Sequence, residues 1–246
     1  MAAAPGPPLR PFSLCQVDRA FHILSVALIT AGLVVLADAG ATLLWEEPVS
    51  SLYASVKQHD ASSQLDELER GFPTPADRRA ARRVRGTRER LEVLADRFSR
   101  RVDDGQPIGR IVIPGIGLDI AVIQGTNTSD LQKGPGHYPS TPFPGQPGTT
   151  AIAGHRTTYL APFRHIDSLH GGNVIKLEMP YGTLDYKVED TKVVQPSDFH
   201  ILHRTGYQRL VLTACHPLYS ASERIVAFAR LDRIESVAVG GRSSSG

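Results

Sequence analysis

From Pro107 onward the chain is written in short apolar runs separated by turn signals. The runs cover residues 108–113, 118–124, 149–153, 173–179, 183–189, 192–195, 209–215 and 224–231. Short runs rich in β-branched residues and bounded by Gly, Pro or Asn read as strands. Eight of them in succession predict an all-β barrel or sandwich. Residues 133–148 are dense in Gly and Pro and are expected to be irregular. The other long connection, 196–208, is expected to carry a short helical turn. There is no internal repeat.

Ahead of this region lies one long apolar run, residues 21–45, interrupted only by His22, Asp38 and small polar residues. About 20 apolar residues cross a bilayer, so a transmembrane helix is expected. Arg10 and Arg19 precede it and Glu46 and Glu47 follow, which favours a cytoplasmic N-terminus. Trp45 suits the far interface. Ala37-Asp38-Ala39 resembles a signal-peptide cleavage site, but the run starts late and continues past it, so an uncleaved anchor is expected. The predicted order is a disordered cytoplasmic tail (1–20), the anchor (21–45), an extracytoplasmic helical spacer (46–105), the β-domain (106–234) and a disordered C-terminal tail (235–246).

Within the spacer, residues 50–70 read as a polar helix closed by Gly71 and Pro73. Thr74, Pro75 and Asp77 supply an N-cap, a proline at the first helical position and an acid reaching back. Val84, Leu91, Leu94, Phe98 and Val102 then form one apolar stripe, predicting a single helix over 74–103. Arg78, Arg79, Arg82, Arg83, Arg85, Arg88 and Arg90 crowd its other side. A solvated face is the simpler reading; attraction to anionic lipid or wall polymer is the alternative.

The formal net charge is only +2, so the charge balance gives no sign of nucleic-acid binding. The two cysteines, Cys15 and Cys215, lie on opposite sides of the apolar run, so no disulfide is expected. Cys215 ends an apolar strand two residues before Pro217, where a thiol projects into a cleft. Such a thiol is either a small buried hydrophobe or a nucleophile in search of a base.

Nine histidines compete for that role. His216 is adjacent to the cysteine and points to the other face of the strand. His22 belongs to the membrane run and His59 to the polar helix. His200 and His203 sit in a loop, and His165 and His170 follow a short helix. His155 instead ends strand 149–153 in the way Cys215 ends its own, and Gly154 beside it permits a close approach. The pairing needs only that the two strands be neighbours. Arg224 opens the last strand, as a surface charge or as a fixed cation for a developing oxyanion. No zinc site is expected, because no second cysteine or suitably spaced histidine accompanies Cys215.

A strand ending in Cys215-His216-Pro217, Arg224 beyond it, Ala153-Gly154-His155-Arg156 upstream and the stretch Gly134-Pro135-Gly136-His137-Tyr138-Pro139-Ser140-Thr141-Pro142 together resemble the sortases, membrane-anchored cysteine transpeptidases of Gram-positive bacteria. His155-Arg156-Thr157-Thr158 with Cys215-His216-Pro217 is most similar to class E enzymes of actinobacteria. The resemblance implies an eight-stranded sortase-type β-barrel over 106–234. It implies Cys215 as nucleophile, His155 as acid/base and Arg224 as oxyanion and substrate stabiliser, with no metal or cofactor. Implied partners are secreted proteins with LPXTG- or LAXTG-type sorting signals, and a peptidoglycan-precursor or pilin amine as acceptor. One departure is that Val211 and Ala214 stand where the family signature carries threonine. A plain cysteine peptidase and a non-catalytic anchored binding module remain the alternatives.

Overall fold

The computed structural model describes residues 14–44 and 48–237. The expected tail over 1–13, Trp45, Glu46, Glu47 and residues 238–246 lie outside the described residues. The chain divides into two compact units, Met1–Trp45 and Glu46–Gly246.

The first unit is helix α1 (Leu14–Leu44). It begins inside the segment expected to be disordered. Its stretch Phe21–Gly40 is 20 residues long and apolar enough to cross a membrane, and at 1.5 Å per residue spans about 30 Å, the thickness of a bilayer core. The hydroxyls of Ser25 and Thr30 donate to Phe21 O and Val26 O, both at 2.8 Å. Both hydroxyls are thereby satisfied within the helix, as an apolar solvent requires.

The second unit is a closed barrel of eight strands: β1 (Pro107–Ile113), β2 (Leu118–Gln124), β3 (Gly136–His137), β4 (Thr149–Ala153), β5 (Val174–Met179), β6 (Gly182–Val194), β7 (Arg209–His216) and β8 (Glu223–Val237). Their order around the barrel is β1-β2-β3-β4-β7-β8-β6-β5. The expected fold class is therefore the observed one, although two strands differ from the sequence reading. Residues 183–189 and 192–195 belong to one strand, β6, which passes through a bulge between Val188 and Asp190. Its outer half is largely exposed, so the hydrophobic pattern fades there while the backbone pairing continues.

The eighth strand comes from the stretch expected to be irregular. Gly136 and His137 pair parallel with β2 and antiparallel with β4. A Cβ on Gly136 would lie 2.2 Å from Gly125 O, so only glycine allows the close approach. His137 is fully buried. Its Nδ1 meets Gln124 Oε1 at 2.9 Å and its Nε2 meets Pro142 O at 3.1 Å. Two residues with these contacts bridge the gap in the barrel wall, too few to leave a period in the sequence.

The helices are built into this body. Helix α2 (Pro48–Gly71) buries Ala54, Gln58, Ala61 and Leu65. Gln58 completes the edge of β2: its Nε2 donates to Ala121 O (3.0 Å) and Lys133 O (2.6 Å), and its Oε1 accepts from Ala121 N (2.9 Å). The single helix expected over 74–103 is two, α3 (Pro75–Ala81) and α4 (Thr87–Ser99), because Gly86 takes the N-cap of the second. The expected stripe survives the break. Leu91, Leu94 and Phe98 are buried in the main core, each burial stabilising by about 1.5–3 kcal/mol. The Phe98 ring lies 5.1 Å from that of Phe72 and 5.5 Å from that of Tyr181.

Asp77 ties the two helices together. It caps α3 through Thr74 and accepts from Arg97 (3.2 Å) and Arg101 (2.8 Å). Burial alone would raise its carboxyl, but the hydrogen bonds from Thr74 and Arg101 outweigh this and hold it at about 2. Arg79, Arg83, Arg85 and Arg88 are exposed, in keeping with a solvated face.

Candidate active site

Strands β4 and β7 are parallel neighbours, the condition on which the pairing of His155 with Cys215 depends. Thr149 faces Arg209 and Ala153 faces Thr213, with an offset of 60 residues at every pair. Gly154 N then donates to Thr213 O at 3.0 Å. The same offset carries His155 to the level of Cys215. Alternation sorts the side chains into two faces. Ile152, Leu212 and Ala214 join the main core, whereas Ala151 and Val211 join a separate outer cluster with Tyr138, Ile201 and Leu202. His155 and Cys215 follow the outer set. Strand β8 runs antiparallel to β7 and places Arg224 directly across from Cys215.

All three side chains line one cleft of about 220 Å³, with Tyr138, Thr213 and Ala214 among its other walls. None of the lining residues comes from 74–103. Cys215 is a free, half-buried thiol. His155 is half-buried, and its Nε2 is buried with no hydrogen-bond partner among the described residues. Burial lowers its pKa, which favours the neutral form of the ring. Arg224 Nη1 donates to the carbonyls of Ala221 and Glu223, both at 2.9 Å. Those bonds hold the guanidinium at the cleft edge. Together the groups offer a thiol, a neutral base and a fixed cation around one small volume, the parts needed for acyl transfer through a thioester.

The loop after His155 is strained. Tyr159, Leu160 and Ala161 have φ of 50°, 66° and 41°, a left-handed turn that costs about 1–2 kcal/mol per residue. It brings the Tyr159 ring to 5.2 Å from the His155 ring. Gln132 Nε2 donates to Tyr159 Oη at 3.1 Å and Tyr159 N donates to Ser50 Oγ at 3.3 Å. Gly154 serves a purpose other than ligand approach: a Cβ there would lie 2.5 Å from Phe163 Cδ2. The buried Phe163 ring occupies that space, and Phe163 N donates to His155 O at 3.0 Å.

The competing histidines fall elsewhere. His216 sits on the opposite face of β7, where its Nδ1 accepts from Arg156 Nη1 at 3.1 Å. His200 and His203 are exposed at a short 3₁₀ turn, Phe199–Leu202, with their Nδ1 atoms 3.4 Å apart. His170 follows the short 3₁₀ turn Ile166–Ser168 as expected, whereas His165 precedes it. Sequence reasoning names Tyr138 only within the stretch 134–142 and gives it no role, yet its hydroxyl bonds Thr213 Oγ1 at 3.0 Å in the cleft wall. Val211 and Ala214, the two departures from the signature, are both buried in apolar clusters.

The family model of the sortase domain matches residues 111–232, which include all three cleft residues. The sortase E of Streptomyces avermitilis is 32% identical, with 57% of this chain and 97% of that chain superposed at a TM-score of 0.51. The chain belongs to the sortase family. Sortases are cysteine transpeptidases. The sortase D of Bacillus subtilis is also 32% identical, over 133 residues that make up 54% of this chain and 66% of the relative. The chain spans less than two thirds of the length of the curated relatives it matches. A Clostridium perfringens sortase D5 transpeptidase shares the fold at 23% identity, with a TM-score of 0.57 over 70% of this chain and 98% of that one.

Proposed function

We propose that this sortase cleaves the Thr–Gly bond of an LPXTG- or LAXTG-type sorting signal and transfers the secreted protein to an amine. The observation that carries the assignment of residues is the level placement of His155 and Cys215 with Arg224 opposite the thiol. Cys215 Sγ attacks the threonine carbonyl carbon as His155 takes the thiol proton. Arg224 stabilises the oxyanion. As the tetrahedral centre collapses, the C–N bond breaks and His155 gives its proton to the departing glycine amine. An amine of a peptidoglycan precursor or of a pilin then attacks the thioester. A new amide forms, and the proton lost by the amine returns to Cys215 through His155.

The apolar stretch Phe21–Gly40 supports a single-pass anchor. With Arg10 and Arg19 before it, the N-terminus lies in the cytoplasm and the barrel outside. Substrate and enzyme then meet at the outer membrane face. The motifs around His155 and Cys215 support a class E preference for alanine at the second place of the signal. Class D and class E relatives nevertheless match at the same identity, so the peptide preference is the discriminating readout.

The test uses the full-length protein in detergent with LPXTG and LAXTG peptides, with and without an added amine. Cleavage after threonine, an amine-dependent ligated product and loss of both in Cys215→Ala are expected. Hydrolysis unaffected by the amine would reassign the protein as a peptidase. No cleavage by folded protein would remove the catalytic reading.

A further inference from the structure

Arg156 follows His155, yet its side chain serves neither the cleft nor the surface. It is only 3% exposed, rare for an arginine unless every donor is engaged. On the core face of the rim it lies level with His216, as His155 lies level with Cys215 on the outer face. Its Nη1 donates to His216 Nδ1 (3.1 Å), and its Nε and Nη2 donate to Arg164 O (3.4 and 3.2 Å). Its Nη2 also pairs with Asp167 Oδ2 at 2.9 Å.

Those acceptors belong to two segments: the strand end that carries Cys215, and the loop 164–167 that follows the strained turn. The last ladder partners of β4 and β7 are Ala153 and Thr213. Past the bond from Gly154 N to Thr213 O, no backbone pairing among the described residues joins these two strand ends to each other; Cys215 stays paired with Arg224 on β8, and His155 O accepts from Phe163 N. We infer that Arg156 is a positioning residue. By bonding His216, Arg164 and Asp167 together it keeps the two strand ends in step, and so keeps the His155 imidazole level with the Cys215 thiol.

A guanidinium suits this task because its donors diverge in one plane toward several acceptors, whereas an ammonium acts as a single point. The bond to His216 also fixes the tautomer of that ring: with Nδ1 accepting, the proton sits on Nε2. The inference rests on the proposed roles of His155 and Cys215, and the experiment separates the two.

Full-length wild type, Arg156→Ala, Arg156→Lys, His216→Ala and the Arg156→Ala/His216→Ala double variant are compared in detergent. Two readouts are taken: steady-state kinetics on the sorting-signal peptide, and the rate of Cys215 alkylation by iodoacetamide. Displacement of a reacting group by about 1 Å costs up to roughly a hundredfold. Arg156→Ala is therefore expected to lower kcat by roughly tenfold to a hundredfold with KM within about twofold. Alkylation of Cys215 slows in the same variant. Arg156→Lys falls between it and wild type. The double variant is no worse than Arg156→Ala, because both substitutions cut the same connection.

A folded Arg156→Ala with wild-type kcat and alkylation rate, or losses that multiply in the double variant, overturns the inference. If Arg156→Ala does not fold, His216→Ala at its half-buried position carries the test: unchanged kcat and alkylation rate then overturn it. A wild type that alkylates but turns over no peptide defeats the proposed function alone, while the alkylation rates still decide the role of Arg156.

Discussion

Gly154→Ala is the smallest change that connects the core of the barrel to the proposed chemistry. The added Cβ would stand 2.5, 2.8 and 2.9 Å from Cδ2, Cε2 and Cγ of Phe163. Ordinary van der Waals contact begins near 3.5 Å, so the ring must retreat by about 1 Å. It has nowhere to go, being fully buried in the main core. The retreat also pulls on His155, whose carbonyl accepts from Phe163 N. Overpacking of this kind costs about 1–3 kcal/mol. A shift of that size at His155 lowers kcat/KM by up to about a hundredfold. The assay pairs urea unfolding with peptide turnover. Adding Phe163→Leu should return part of the activity by vacating the space that the methyl needs. Wild-type stability and kcat/KM in Gly154→Ala would refute the reasoning, since they would show that ring and loop yield without disturbing His155.

Three further outcomes follow from buried polar groups. His137 is held at about 4 because burial disfavours its charged form. The unfolded chain therefore binds the extra proton between pH 6.5 and 4, and the protein loses up to about 3 kcal/mol over that window; His137→Gln should flatten this dependence in urea titrations. The Asp77 carboxyl, held at about 2, contributes stability that is present above pH 3.8 and lost as pH falls through 2. Asp77→Asn should cost about 1–2 kcal/mol at pH 7, allowing for the solvent that reaches its arginine partners, and an unchanged melting temperature would contradict the clamp. Gln58→Ala leaves both backbone groups of Ala121 and the carbonyl of Lys133 without their side-chain partner, a loss of about 2–4 kcal/mol that equilibrium unfolding would report.

The barrel was legible because its strands carry their own signals. Most runs from 108 to 231 alternate or stay apolar over lengths that only strands use. The candidate site was legible because Cys215 and His155 both end such runs, and because two parallel strands keep a constant offset. The parts that stayed hidden have local reasons. The strand Gly136–His137 is two residues long and is fixed by contacts to Gln124 and Pro142, which no periodicity announces. Helix 74–103 breaks where Gly86 offers an N-cap, a choice made by local backbone energetics rather than by the apolar stripe. Gln58 reads as one more polar residue of a polar helix until its amide is seen to complete the edge of β2. Arg156 reads as one arginine among many, since nothing in sequence distinguishes a buried guanidinium from an exposed one.

The central claim is that Cys215 carries the acyl group, with His155 as its base. The most direct measurement is intact-protein mass after a short reaction with excess sorting-signal peptide in the absence of an amine. The account predicts an added mass equal to the peptide up to its threonine, located on Cys215 and released by hydroxylamine. It also predicts that the adduct is missing in Cys215→Ala and forms far more slowly in His155→Ala. Peptide turnover with the adduct on another residue, or at an undiminished rate in His155→Ala, would contradict it.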